Sequence, residues 1–183
     1  LEQTSTDVLV RYGLANGVVS TQRLTPTNIS FVVPTQPDRF EVVRTYLIFG
    51  VEHILGGIDH LLFVLALLLL IKGVRRIVAT VTAFTLAHSI TLAGATLGWM
   101  NLPGPPVEAV IALSIAFIAA DIIHSQQGRP GLAARYPWVV AFAFGLLHGF
   151  GFAGALQQVG LPQTEITTAL LFFNVGVEVG QLL

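Results

Sequence analysis

The chain has 183 residues, of which 54% are hydrophobic and 10% are charged. A soluble domain usually has about 25% charged residues, so this composition excludes an ordinary water-soluble protein and indicates a membrane protein. The net charge of −1 provides no basic surface for nucleic acid, and the absence of cysteine excludes disulfides, thiolate metal sites and a cysteine nucleophile.

Residues 1–40 differ from the rest of the chain in their composition. VLVRY and NISFVV are short β-like runs, and glycine, asparagine, threonine and proline separate them. A segment of about 40 residues is too short to build a stable core alone. We therefore expect residues 1–40 to be the end of an extramembrane β-like segment.

Residues 41–183 contain five apolar segments, each close to the ~20 residues that a helix needs to cross a bilayer. The sequences between them, KGVRR, NLPGPP, HSQQGRPGLAARYP and VGLPQTE, have turn and helix-stop residues. The predicted fold is an all-α polytopic membrane bundle, with a sixth helix expected in a longer protein because the apolar pattern continues to the last residue. The five predicted transmembrane helices are 44–71, 77–99, 106–124, 137–159 and 164–183.

Basic residues in the connections predict the orientation of the bundle. The first connection has Lys72, Arg75 and Arg76, the third has Arg129 and Arg135, and the second and fourth have no lysine or arginine. By the positive-inside rule, the first and third connections face the cytoplasm. The N-terminal segment is then extracytoplasmic, and the protein is expected in the plasma (inner) membrane.

The segment HILGGIDHLLF, residues 53–63, puts three ionisable side chains into the first predicted helix. His53 and His60 are seven residues apart and would share one helix face. Asp59 would be a metal ligand or would orient an imidazole by a hydrogen bond. Ionisable groups inside a membrane are expensive and usually mark a functional site. The alternative is a buried histidine that pairs with a carboxylate only for packing.

Two further histidines lie at a similar predicted depth. His88 is near the middle of the second helix, with Thr85 and Ser89 as polar neighbours, and His148 is near the middle of the fourth. Together with His60, they predict a midplane metal site built from three helices. Packing remains the alternative for both, because hydroxyl groups and glycines at these positions also promote contacts between helices.

The segment FFNVGVEVGQ, residues 172–181, puts Asn174, Glu178 and Gln181 on one face of the last predicted helix. This stripe predicts an ion path, a metal ligand or a general base, with interhelical hydrogen bonding as the alternative. A weaker stripe on the third helix includes Asp121 and His124. Because both lie near the predicted cytoplasmic end, we expect them to be solvated.

Several of these motifs resemble the HupE/UreJ family, the hydrogenase and urease accessory membrane proteins. The similar segments are the His-x5-Asp-His pattern of residues 53–60 with the following LLF, then TAFTLAHSITL, GLLHGFGFA and FNVGVEVGQ. The resemblance spans about residues 45–183 and is to the longer branch, which has an extracytoplasmic domain before its helices. A related His-x4-Asp-His pattern occurs in nickel/cobalt permeases, so the resemblance implies a membrane protein that handles nickel or a similar ion.

Two functions follow from these motifs, and a structural or assembly subunit is a third possibility. The first is a metal-ion permease, for which imidazole and carboxylate ligands favour nickel, zinc, cobalt or iron. The second is a zinc-dependent intramembrane hydrolase that acts on a lipid or a membrane-embedded peptide, with Asp59 or Glu178 as general base. The predicted metal ligands are His53, Asp59, His60, His88 and His148; the relay or general-base residues are Glu52, Asn174 and Glu178; and the supporting polar residues are Thr85, Ser89 and Gln181.

Overall fold

The computed structural model describes residues 8–13, 19–25, 30, 39–100, 102–159 and 165–183. The chain divides into two compact units, Leu1–Pro37 and Asp38–Leu183. In the first unit, strand β1 (Val8–Gly13) pairs antiparallel with β2 (Val19–Leu24), so that Val8 lies opposite Leu24. Strand β1 contains the VLVRY run, whereas the NISFVV run, apart from Ser30, lies outside the described residues.

The second unit is all-α in the described part of the chain, in agreement with the predicted fold class. One of its elements, α5, is a single turn between two long helices. The elements are α1 (Arg39–Gly56), α2 (Ile58–Leu70), α3 (Val74–Thr96), α4 (Gly104–Gln126), α5 (Leu132–Arg135), α6 (Pro137–Val159) and α7 (Ile166–Leu182).

Fewer helices than predicted meet the requirements for a membrane span among the described residues. Helices α3 and α4 are long and apolar enough to cross a bilayer, and α1 with α2 adds a third span if the bent pair crosses as one. The searched part of α6, Pro137–Ala153, and helix α7, Ile166–Leu182, are apolar but shorter. Length and composition therefore support two or three crossing helices among the described residues, and the count of five stays a prediction.

The helix predicted over 44–71 is broken at Gly57. Helices α1 and α2 meet there at an angle of 73°, and the Gly57 amide donates to the His53 carbonyl at 3.1 Å. A Cβ at Gly57 would lie 2.7 Å from Nδ1 of His60 and 2.8 Å from the His53 carbonyl oxygen. Glycine therefore permits a close approach that any other residue would obstruct, and this approach brings the end of α1 next to the start of α2.

Glycines on α6 allow this helix to pack closely against α3. A Cβ at Gly145 would collide with the carbonyl of Phe84, and a Cβ at Gly149 would collide with the carbonyl of His88. Small residues four apart are common where membrane helices pack, because they let the backbones approach. Since His148 directly precedes Gly149, this contact puts the turn of α6 that contains His148 next to the turn of α3 that contains His88.

A second glycine pair joins α7 to α1. A Cβ at Gly176 would collide with the carbonyl of Leu47 and lie 3.0 Å from Cα of Gly50, and a Cβ at Gly180 would lie 3.1 Å from Cβ of Ile54. These contacts follow the same order along both helices, so α1 and α7 run parallel. Three of the histidines lie on helices of the two closely packed pairs, α3 with α6 and α1 with α7. They are His53 on α1, His88 on α3 and His148 on α6.

Two clusters of buried apolar side chains lie on either side of the histidines. One joins α1, the end of α3, α6 and α7 and includes Ile54, Leu92 and Phe173. The other joins α2, α3, α4 and the start of α6 and includes Phe63 and Phe84. The histidine rings contact phenylalanines of both clusters, so they occupy the layer between them.

Asp121 is buried rather than solvated, which corrects the expectation from the sequence. Only 4% of the residue is exposed. Its carboxylate accepts hydrogen bonds from the amides of Gly131 at 2.7 Å, Ala133 at 2.6 Å and Ala134 at 3.2 Å. The amides at the start of α5 would otherwise have no acceptor, so Asp121 anchors the connection between α4 and α6. The sequence did not reveal this, because the partners are ten or more residues away.

The substitution Asp121→Ala should lower the free energy of unfolding by about 3 kcal/mol, because it leaves buried amides without a charged acceptor. Thermal unfolding in detergent would measure the loss. The matched control is Glu108→Gln, which removes an exposed carboxylate from the same helix and should change stability by less than about 0.5 kcal/mol. Equal stability of the two variants would contradict an anchoring function for Asp121.

Candidate metal centre

Three imidazoles meet where α1, α2 and α3 come together. His53 is in the last turn of α1, His60 is in the first turn of α2, and His88 is in the second half of α3. One ring nitrogen of each lies within 4.8 Å of the other two. We call these residues the histidine triad. The break at Gly57 is what brings the His53 and His60 rings to a centroid distance of 4.6 Å.

The triad nitrogens lack the hydrogen-bond partners that buried polar atoms normally have. The Nε2 atoms of His53, His60 and His88 are buried and make no hydrogen bond to any residue that the structure describes. In folded proteins the large majority of buried polar atoms are paired, and an unpaired one in an apolar environment is unfavourable. The three neighbouring imidazoles therefore form a donor set whose lone pairs could bind a cation.

Asn174 determines which nitrogen of His88 is available. The Asn174 amide nitrogen donates to the Leu170 carbonyl at 2.8 Å, which turns its Oδ1 towards His88. This oxygen lies 3.1 Å from Nδ1 of His88 and can only accept, so Nδ1 has the proton and Nε2 has the lone pair. Metal-binding histidines in proteins typically have such a partner on the second nitrogen.

His148 lies beside the triad but is not one of its three members. Its ring centroid is 5.3 Å from that of His60. The Ser114 hydroxyl donates to the Ile111 carbonyl at 2.6 Å and therefore accepts from Nε2 of His148 at 3.1 Å. Nδ1 of His148 then has a lone pair and is buried without a partner among the described residues. His148 therefore offers one more unpartnered imidazole nitrogen beside the triad.

The carboxylates predicted beside the histidines do not join the triad. Asp59 and Glu52 are both exposed. Each directly precedes a triad histidine, and consecutive side chains on a helix point about 100° apart. When His53 and His60 face the interior, Glu52 and Asp59 therefore face away from it. The donor set of the triad consists of imidazole alone.

Phenylalanine rings surround the histidines, a feature that sequence analysis missed. The Phe152 ring centroid is 3.9 Å from that of His53, and Phe152 stacks on Phe173 at 5.1 Å. On the other side, Phe63 and Phe84 lie 5.3 and 5.1 Å from His148. These rings separate the imidazoles from water and lower the local dielectric constant. Their helical spacing was a usable signal, since Phe84 is four residues before His88 and Phe152 four residues after His148.

The predicted polar stripe on α7 faces α3. Besides the pair of Asn174 with His88, the Thr85 hydroxyl donates to Oε1 of Gln181 at 3.1 Å, and the Thr82 hydroxyl donates to Oε1 of Glu178 at 2.6 Å. Ser89, predicted as polar support, donates to a backbone carbonyl within α3 and makes no described contact with a histidine. The stripe is therefore an interhelical set of polar contacts that begins at the triad.

Comparison with known proteins identifies one family. The model of the family described as HupE / UreJ protein matches residues 31–183, which is most of the chain and includes all four histidines of the site. Comparisons with curated proteins and with solved structures found no match. The family match agrees with the resemblance of the His-x5-Asp-His, TAFTLAHSITL, GLLHGFGFA and FNVGVEVGQ segments. The chain therefore belongs to the HupE/UreJ family of membrane proteins.

Proposed function

We propose that this chain is a divalent metal-ion permease of the plasma (inner) membrane, with the histidine triad as the site that binds the ion in transit. The observation that supports this most directly is the group of three imidazoles, each with one ring nitrogen within 4.8 Å of the other two and each with a buried Nε2 that has no partner among the described residues. Imidazole ligands suit nickel, cobalt and zinc. The resemblance to nickel/cobalt permeases favours nickel as the cargo.

The donor set of the triad suits transport better than permanent retention. One ring nitrogen of each triad residue lies within 4.8 Å of the other two, and all three donors are imidazoles. Neutral imidazoles hold a divalent ion less strongly than charged ligands would. A transport site has to bind well enough to select the ion and weakly enough to release it.

Both basic connections lie at one end of the bundle, which supports the proposed orientation. Helices α3 and α6 run in the same direction, because a Cβ at Gly145 would meet Phe84 and a Cβ at Gly149 would meet His88. The connections that lead into α3 and α6 therefore emerge on the same side, and both contain lysine or arginine. By the positive-inside rule this side is cytoplasmic, so the opposite end, where α1 begins, is extracytoplasmic.

Uptake into proteoliposomes tests the proposal directly. The purified protein would be reconstituted into vesicles that contain a metal-sensitive fluorescent dye, and Ni²⁺, Co²⁺ or Zn²⁺ would be added outside. We expect uptake to be saturable and to exceed that of protein-free vesicles. Failure of all three ions to enter, in vesicles whose protein remains folded, would contradict transport.

A zinc-dependent intramembrane hydrolase remains the second candidate because of a groove beside the site. The groove has a volume of about 280 Å³, lies between α3 and α7, and extends from Leu97 and Leu171 to Asn174, the partner of His88. It would admit a lipid chain or a membrane-embedded peptide. Neither Asp59 nor Glu178 belongs to the triad, however, so a general base beside the ion is lacking. One zinc per chain that survives dialysis, without any uptake, would favour the hydrolase.

The substitution Asn174→Leu should weaken metal binding by roughly 10- to 100-fold, because it removes the partner that fixes the proton on Nδ1 of His88. Isothermal titration of the purified protein with Ni²⁺ would measure the dissociation constant. The matched control is Ser89→Ala, which changes another residue that lines the same groove but makes no described contact with a histidine, and it should leave the constant unchanged. An unaltered affinity in Asn174→Leu would show that the amide does not orient the ligand.

A further inference from the structure

The α3–α7 interface contains a second group of polar side chains that offers oxygen instead of nitrogen. The Thr82 hydroxyl donates to Oε1 of Glu178 at 2.6 Å, and the Thr85 hydroxyl donates to Oε1 of Gln181 at 3.1 Å. We call these four residues the oxygen quartet. Its atoms are carboxylate, hydroxyl and amide oxygens, a donor set that differs from the triad in chemical hardness.

One atom of the oxygen quartet is left without a partner. Within the described part of the chain, Oε2 of Glu178 is buried and makes no hydrogen bond, although Oε1 accepts one from Thr82. A carboxylate within an apolar helix is unfavourable, and a helix contact through Thr82 would need only a neutral amide at this position. The free oxygen of a charged group therefore indicates that a cation is the missing partner of Glu178.

The quartet lies between the triad and the end of the bundle with the basic connections. Thr82 is six residues before His88 on α3, a distance of about 9 Å along the helix, and α3 begins just after one of the basic connections. Glu178 and Thr82 are half-buried, whereas His88 is fully buried. An ion that leaves the triad in this direction would reach the quartet before it reaches water.

We propose that the oxygen quartet is a second divalent-cation subsite that receives the ion from the triad before its release at the side with the basic connections. This step rests on the proposed permease function. Glu178 supplies the charged ligand, and the oxygens of Thr82 and Gln181 complete the set. Nickel and zinc bind oxygen ligands less strongly than imidazole, so the exchange of ligands lowers affinity along the path. Falling affinity is what release requires.

The first test separates binding from movement with the variant Glu178→Gln. Glutamine keeps an acceptor for Thr82 but removes the charge. Ni²⁺ uptake into proteoliposomes should fall at least 10-fold, while the equilibrium dissociation constant for Ni²⁺ in detergent should change less than 3-fold. The matched control is Glu165→Gln, which removes the carboxylate at the start of the same helix, where it pairs with Arg39 at 2.9 Å, and should leave both quantities unchanged.

Two results of this test would overturn the subsite. Uptake by Glu178→Gln at the wild-type rate would show that the carboxylate is not on the path. A dissociation constant more than 10-fold weaker would assign Glu178 to the triad's own site instead of a second one. If wild-type protein neither binds nor transports nickel, the permease function fails.

The second test examines the quartet without the triad. In His88→Ala, which lacks a triad ligand, Mn²⁺ serves as the probe because it prefers oxygen ligands, and electron paramagnetic resonance measures bound and free ion. We expect weak binding in His88→Ala and its loss in the double variant His88→Ala, Glu178→Gln. Identical Mn²⁺ binding by the two variants, or none in either, would overturn the subsite whether or not the protein transports nickel.

Discussion

The substitution His60→Ala is expected to weaken Ni²⁺ binding by roughly 100-fold or more, a loss of about 2.8 kcal/mol. His60 is central to the site, because its ring lies 4.6 Å from His53 and 5.3 Å from His148. Alanine removes one of three closely spaced nitrogens, and the two that remain hold a divalent ion less strongly than three do. Isothermal titration in detergent would measure the dissociation constant.

His124→Ala is the matched control for this substitution. It removes an imidazole from the end of α4 that is exposed and remote from the triad, so the affinity should remain that of the wild type. Thermal unfolding of both variants would verify that the helices are intact. Equal nickel affinity in His60→Ala and the wild type would contradict metal binding at the triad and would leave helix packing as the function of these histidines.

The substitution Gly149→Ala is expected to destabilise the protein by about 3 kcal/mol, at the upper end of the usual cost of overpacking. An added Cβ would collide with the carbonyl of His88 and with the hydroxyl of Thr91. The first of these atoms is backbone, so a side-chain rotation cannot relieve the collision, and α6 must move away from α3. Because the added Cβ would press directly on the His88 backbone, His88 would shift as well, and we expect nickel affinity to fall together with stability.

Gly56→Ala is the matched control for the glycine substitution. Gly56 is also helical, but a Cβ there would meet no atom within 4 Å, and alanine favours helix over glycine by up to about 1 kcal/mol. Its unfolding temperature and nickel affinity should equal or slightly exceed those of the wild type. If Gly149→Ala unfolds at the same temperature as Gly56→Ala, the close contact between α3 and α6 does not support the fold.

The positions of the histidines illustrate how far the sequence predicts the site. A straight helix over 44–71 would bring His53 and His60 onto one face. The two residues are seven positions apart, however, and the rise of the helix would keep their rings about 10 Å apart. The break at Gly57 brings them together instead. An apolar run with two adjacent glycines does not encode the angle of a bend, so the sequence could predict the residues but not their proximity.

For two carboxylates, position in the sequence did not predict the environment of the side chain. Asp59 is next to His60 in the sequence and was therefore a natural candidate ligand, yet it is exposed. Asp121 was expected to be solvated, but it is buried and accepts hydrogen bonds from three backbone amides. Adjacent residues on a helix point in different directions, and the partners of Asp121 lie in another element. Proximity in the sequence therefore did not place Asp59 beside the ring of His60. Distance in the sequence hid the contact between Asp121 and its three amides.

Composition and residue pattern alone establish that this is a helical membrane protein, where its apolar segments lie, and which polar residues are unusual in them. These are local properties, since the cost of a charge in hydrocarbon and the period of a helix depend on nearby residues only. The fold determines which nitrogens meet, which carboxylates turn away and which amides orient the rings. Those outcomes depend on the bend at Gly57 and on the glycine contacts between distant helices, where backbones approach across long stretches of sequence.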